Sequence, residues 1–237
     1  KEKRYKMIIG LAAKKHSGKD TNWKSRDFFD RVPIYLEEIS LNFEPLKLLN
    51  EKNNVNSVFL QSKENSIENI FTIINRYRLN FPLLLFQKRI ENGFISFNTE
   101  IFFDNENGDI LDFKSKGKVS NINLKLLDEN KIQNLDFNFE IFNDVLHLKK
   151  IKLLFNKIIF TSKKIAITKN TNSFNIDGEF SNINQEINTS FIKKFIGLKQ
   201  VNNISKNLNI QSKNTFYISI SKKLKIIDYK FNSLLKI

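Results

Sequence analysis

The chain has 237 residues, 23 of them Phe, with 41% hydrophobic and 27% charged residues and a formal net charge of +14. This hydrophobic content is typical of a globular protein and excludes a chain that is disordered along its length. The absence of Cys excludes disulfides and Cys-based metal sites. The positive charge is spread along the chain, and Lys, Asn, Ile and Phe all have AT-rich codons. An AT-rich genome would therefore explain the positive charge without any anionic partner, such as a nucleic acid or acidic lipid headgroups.

Residues 1–30 form an N-terminal segment that differs from the rest. An apolar run, Met7 to Ala13, precedes a basic polar stretch. The stretch resembles the phosphate-binding loop of phage-type deoxynucleoside monophosphate kinases, a resemblance that implies nucleotide-binding roles for Ser17, Gly18, Lys19 and Thr21. The pattern departs from the standard loop at Ala13 and Asp20, and the remaining chain lacks the alternation of strands and helices that such a kinase needs.

Residues 31–93 are predicted to hold a strand followed by a pair of helices. Strands are predicted from Ile34 to Phe43 and from Val55 to Leu60. Ser66 is a suitable N-cap for a first helix, which carries apolar residues at helical spacing: Ile67, Ile70, Phe71 and Ile74. A second helix is predicted from Pro82 to Ile90, with Gly93 just past its end.

Residues 94–237 change to a period of two, which is typical of half-buried strands. Turns are predicted at 104–109, at 128–130 and at Asn143-Asp144, and a phase shift near Lys149-Lys150 predicts a β-bulge. A short helix is predicted near 190–198, after which the strands resume and include Leu224 and Ile226. Between Leu111 and Val119 the apolar side chains face one way and the charged ones the other: Asp112, Lys114, Lys116 and Lys118.

The predicted fold class is mainly β, an elongated antiparallel meander with a few short helices. The strict alternation predicts one dry face and one wet face. Either a second sheet covers the dry face, which gives a closed sandwich or barrel with a structural or interaction role, or lipid chains cover it in an open groove. The pattern does not separate these alternatives.

No constellation of residues in the sequence predicts catalysis. His16 and His147 show no metal-ligand spacing, and His147 is predicted to be a solvated surface residue. Asp136 and Glu140 would lie apart on the wet face of a strand. The chain is therefore expected not to be an enzyme, with no cofactor and no metal site. No specific nucleic-acid partner is expected either, because the aromatic side chains alternate with the charged ones instead of lying among them.

From about Ile34 to Ile237 the chain resembles a segment of the AsmA-like proteins, bacterial relatives of bridge-like lipid-transfer proteins. The resemblance lies in the order of a strand ending at Phe43-Glu44-Pro45-Leu46, a helical pair ending at Gly93, and a long meander. It implies phospholipid acyl chains as the partner, a role in outer-membrane biogenesis, and a periplasmic location. The inner-membrane anchor it also implies would lie outside this chain, which has no run of the ~20 apolar residues needed.

The resemblance also implies a set of groove-lining side chains. These are Leu111, Phe113, Leu135, Phe137, Phe139, Ile141, Phe174, Ile176, Phe216 and Ile218. In a closed sandwich the same residues would form the core.

Overall fold

The computed structural model describes residues 34–43, 55–77, 87–104, 109–126, 130–188 and 207–236. Through these ranges the chain is antiparallel β with one helix, so the predicted mainly β meander is confirmed. The chain divides into two compact units, residues 1–113 and 114–237.

The first unit contains β1 (Leu36–Phe43), β2 (Val55–Ser62), β3 (Asn65–Ser66), α1 (Ile67–Tyr77) and β4 (Ile90–Phe103). The strand order is β1-β2-β4, and β3 also pairs with β4. Helix α1 begins directly after Ser66, as predicted, and buries Ile67 and Phe71. The side chain of Asn65 is fully buried. It links β3 to the residue before β1 by accepting a hydrogen bond from Tyr35 N and donating one to Tyr35 O.

The predicted second helix is wrong at its C-terminal end, because β4 already begins at Ile90. Gly93 does not end a helix and lies buried within the strand, with φ at 145°. Glycine adopts that conformation readily, whereas side chains with a Cβ do not. The glycine is therefore explained by an irregular strand backbone. Residues 78–86, which include most of the predicted helix, lie outside the described ranges.

The second unit contains most of β5 (Ile110–Lys125), and then β6 (Lys131–Phe142), β7 (Val145–Phe155), β8 (Ile158–Lys169), β9 (Ser173–Asn188), β10 (Asn207–Ser221) and β11 (Ile226–Lys236). Each strand pairs antiparallel with the next along the chain. β5 and β11 lie at opposite ends of this order and do not pair with each other in the described residues. The sheet of this unit is therefore open in that part of the chain. The predicted short helix near 190–198 lies outside the described residues.

Bulges keep the apolar side chains of the second unit on one face. Asn121, Asn134 and Lys150 have φ values of 55°, 48° and 54°, and each lies at or beside a shift of strand register. The predicted bulge near Lys149-Lys150 is confirmed. One extra residue at Asn121 brings Ile122 onto the side of Val119, although their sequence spacing is odd. Without it, the pleat would point them to opposite faces.

Two-residue turns connect β6 to β7 and β7 to β8. Both residues of Asn143-Asp144 have positive φ, as do both residues of Asn156-Lys157, which is the backbone of a type I′ hairpin turn. The assignment of Leu224 to a strand is wrong, because it lies in the turn before β11 with φ at 59°. The apolar character of Leu224 made the turn resemble a strand in the sequence.

Candidate functional site

One face of the second unit is lined by apolar side chains from β5 to β11. Residues directly opposite each other in neighbouring strands share a face, so the register of the sheet identifies this set. Following such pairs from β6 to β11 gives a row across the sheet with one residue from each strand: Phe139, Leu148, Ile165, Gly178, Phe216 and Phe231. These residues and those in phase with them are called the apolar face.

The opposite side of the same strands carries polar and ionised groups. Representative members are Lys116, Lys118, Asn138, Glu140, Lys152, Asp177, Glu179 and Lys213. Lys149 Nζ lies 2.5 Å from a carboxylate oxygen of Glu140. The hydrogen bond from Lys149 is the main cause that holds the pKa of Glu140 below its ordinary value; desolvation opposes it, and the charges of Lys149, His147 and Lys116 lower the pKa further. This side is called the charged face.

Eight of the predicted lining residues come together on the apolar face. They are Leu135, Phe137, Phe139 and Ile141 on β6, Phe174 and Ile176 on β9, and Phe216 and Ile218 on β10. The other two, Leu111 and Phe113, belong to the first unit and are 66% and 45% exposed.

A row of aromatic rings crosses the apolar face from β7 to β11. The ring centroids of Phe155 and Phe160 are 6.4 Å apart, and those of Phe160 and Phe180 are 5.8 Å apart. Phe180 also lies 5.9 Å from Phe216 and 6.2 Å from Phe231. These separations are within the range of favourable aromatic pairs. Of these five, which we call the aromatic row, sequence reasoning identified Phe216 alone, since strand pairing and not spacing brings the rings together.

Burial varies along the apolar face. Ile122 and Val119 are 1% and 3% exposed, whereas Phe231 and Tyr229 on β11 are 55% and 71% exposed. The described strands of this unit form a single sheet, and no second described sheet lies on this face. The apolar face is therefore closely packed at β5 and becomes more exposed toward β11.

Buried polar groups interrupt the apolar face near β9 and β10. Asn182 is buried, donates to Ile210 O at 2.8 Å and accepts from Ser212 N at 2.7 Å. Asn214 is also buried, and its side-chain oxygen accepts from the hydroxyl of Ser233 at 2.7 Å. Since these groups hydrogen-bond to one another and to the backbone, their burial does not leave polar atoms unsatisfied.

The remaining candidates for chemistry are separated from one another. The carboxylate of Asp136 accepts from Asn121 N at 2.8 Å, and that of Glu140 pairs with Lys149. His147 lies opposite Glu140 on the charged face, but the prediction of a solvated side chain is wrong, because it is half-buried and its Nδ1 is shielded from solvent. Within the described ranges, no group of three or more His, Asp or Glu side chains is placed to hold a metal ion.

Two further expectations concern a nucleotide-binding loop and a membrane-spanning segment. Ser17, Gly18, Lys19 and Thr21, the residues of the predicted phosphate-binding loop, lie outside the described residues. In the part of the chain that is described, no helix has the length and apolar character required to cross a membrane.

Comparison of the chain with family models, with curated protein sequences and with solved structures found no match.

Proposed function

We propose that this chain is a segment of an AsmA-like envelope protein that carries phospholipid acyl chains on the apolar face of its second unit. The proposal places it in the periplasm, in outer-membrane biogenesis, with a membrane anchor elsewhere in the protein. One observation carries the proposal: the apolar face continues across β5 to β11, and no described second sheet lies on it.

Acyl chains match this surface physically. Transfer of each CH2 group from water to an apolar environment is favourable by about 0.8 kcal/mol. Binding of an acyl chain that lies across several strands is therefore strongly favourable. The rings of the aromatic row, at 5.8–6.4 Å, offer continuous apolar surface. Exposed apolar surface such as that at Tyr229 and Phe231 on β11 promotes aggregation unless something covers it, and an acyl chain would provide that cover.

The charged face supports the same proposal. Its lysines keep that side hydrated, and a basic surface is attracted to anionic lipid headgroups. The division of one sheet into an apolar and a charged face lets a single layer of strands hold a lipid chain on one side and water on the other.

The test is native mass spectrometry with lipid extraction on the purified chain. The wild type is expected to retain phospholipid. Phe137→Glu places a charge on the apolar face of β6, and we expect this variant to lose the lipid while its far-ultraviolet circular dichroism is unchanged.

Phe142→Glu is the matched control. It makes the same substitution on the same strand, but Phe142 lies on the charged face, opposite Val145, and is already 47% exposed. We expect it to retain lipid as the wild type does. A well-folded wild type without lipid would contradict the proposal and favour a closed structural domain, and equal loss of lipid in both variants would show that the lipid does not lie on the apolar face.

A further inference from the structure

A cavity of about 870 Å³ opens on the second unit where β7 to β11 lie side by side. A row of directly opposed residues crosses it, one from each strand: Lys152, Thr161, Ser181, Lys213 and Leu234. The register assigns this row to the charged face. The cavity is large enough for a small organic ligand.

The cavity carries strong positive charge. Five lysines line it against a single carboxylate, that of Glu179: Lys150, Lys152, Lys163, Lys213 and Lys236. Glu179 lies 3.6 Å from Lys213 Nζ, so it offsets one lysine. Asp136 is opposite Lys152, but its carboxylate accepts from a backbone amide instead. In the described residues the other four lysines have no acidic partner within ion-pair distance. The lining of the cavity therefore has a net positive charge.

Hydroxyl groups lie between these lysines. The oxygens of Thr161 and Ser181 are 3.3 Å apart, in the middle of the row between Lys152 and Lys213. Ammonium groups and hydroxyls are donors, and the oxygens of a phosphate are strong acceptors that match them.

Irregular backbone places two of the lysines. Lys150 is the bulged residue of β7, and Lys163 lies within the register shift between Thr161 and Ile165 on β8. A third shift lies between Ile210 and Ser212, in the pairing of β10 with β9. Bulges redirect side chains out of the regular alternation, which brings Lys150 and Lys163 to the same cavity as Lys152.

Two exposed apolar side chains adjoin the lysines. Ile183 and Leu234 line the cavity and are 60% and 74% exposed. A purely ionic ligand would leave both in water, whereas a ligand with a hydrocarbon part would cover them.

We infer that this cavity binds a phosphate group, held by the lysines and by the hydroxyls of Thr161 and Ser181. The phosphate can belong to a free anion or to the headgroup of an amphiphile whose chain covers Ile183 and Leu234. The row that holds Thr161 and Ser181 lies on the charged face, so this site goes beyond the lipid-carrying role proposed for the apolar face.

The experiment is isothermal titration calorimetry of the whole chain, with dodecyl phosphate below its micelle concentration and with inorganic phosphate. The triple variant Lys150→Gln, Lys152→Gln, Lys163→Gln is expected to bind either probe at least about tenfold more weakly than the wild type. A control variant with the same charge change, Lys116→Gln, Lys118→Gln, Lys131→Gln, alters lysines outside the cavity and is expected to bind within twofold of the wild type, about the effect of distant charges.

A second variant tests the hydroxyls without changing charge. Thr161→Val with Ser181→Ala is expected to weaken binding about fivefold. Tighter binding of dodecyl phosphate than of inorganic phosphate that is lost in the cavity triple would identify an amphiphile at this site, and equal binding of the two probes would identify the free anion. Equal weakening in both lysine triples would show non-specific attraction and overturn the site. Unchanged dodecyl phosphate binding in the cavity triple and in the hydroxyl variant would also overturn it, while leaving the proposal for the apolar face intact.

Discussion

At the scale of single residues, Gly178 shows how closely the strands of the second unit approach. It lies on β9 opposite Ile165, and a Cβ added to it would lie 2.8 Å from Ile165 Cγ1 and 3.1 Å from Lys164 O. Contacts this short force the neighbouring side chain and backbone to move.

We therefore expect Gly178→Ala to lower the free energy of unfolding by about 1–3 kcal/mol, the usual cost of overpacking. Urea denaturation followed by circular dichroism measures this. The double variant with Ile165→Ala removes the atom that the new methyl group meets, so the two changes should cost less together than the sum of each alone. Additive losses would show that the short approach to Ile165 is not the cause.

Glu140 gives a residue-scale prediction about pH. Its pKa is lowered from the ordinary value of 4.5, first by the hydrogen bond from Lys149 and then by nearby positive charge. A lowered folded-state pKa means that the ionised form is favoured by folding. The stabilisation is thus complete above the ordinary pKa and is lost as the pH falls through the lowered one.

Lys149→Gln is expected to raise the pKa of Glu140 toward 4.5. The rise should be partial, because the charges of His147 and Lys116 remain and still lower this pKa. Carboxyl chemical shifts of Glu140, followed by NMR as the pH is lowered, measure the midpoint. Lys131→Gln serves as the control for a general loss of one positive charge. Identical midpoints in the wild type and in Lys149→Gln would contradict the assigned cause.

At the scale of elements, the hairpin turns place non-glycine residues in the left-handed region. Lys157 has φ at 72° in the turn between β7 and β8, after Asn156 at 46°. A side chain in this region costs about 1–2 kcal/mol, and Asn-Gly is the preferred sequence for a type I′ turn.

Lys157→Gly is accordingly expected to raise the free energy of unfolding by about 0.5–1 kcal/mol, since the relief of strain exceeds the added chain entropy of glycine. The matched control is Lys118→Gly within regular β5 pairing, where the same change should lower it by about 0.5–1 kcal/mol. Chemical denaturation of both variants provides the comparison. Destabilisation by Lys157→Gly would contradict the I′ assignment of this turn.

At the scale of the whole molecule, the formal net charge of +14 has an energetic consequence. Like charges in a folded chain repel one another and oppose folding. Salt at about 0.1 M reduces the range of this repulsion to about 10 Å. The ion pairs Lys149–Glu140 and Lys169–Asp144 are substantially exposed, and salt weakens them too, but exposed pairs contribute little.

The urea midpoint of the protein is therefore expected to rise when NaCl is raised from about 0.02 to about 0.3 M. The double variant Lys116→Gln, Lys118→Gln carries less repulsion and should show a smaller rise. A midpoint that falls with salt would mean that attractive ion pairs outweigh the net repulsion.

Sequence reasoning predicted the candidate site in part. The placement of Phe137 and Ile176 on one side of their strands followed from alternation, a local property. The contacts of Phe180 with Phe216 and Phe231 did not, because they depend on which strands are neighbours and in what register. The cavity row from Lys152 to Leu234 was missed for the same reason, since its residues are adjacent only across the sheet.

The sequence by itself determined the class of fold and the existence of an apolar and a charged side, because a period of two leaves a strand no other way to bury its apolar residues. The tertiary structure decided where bulges restore the apolar side chains to one face, at Asn121, Asn134 and Lys150. A bulge is defined by two residues of one strand facing one residue of its partner strand, so it depends on strand pairing. It also decided that Gly93 lies within a strand and not after a helix, because its pairing environment overrides its local preference.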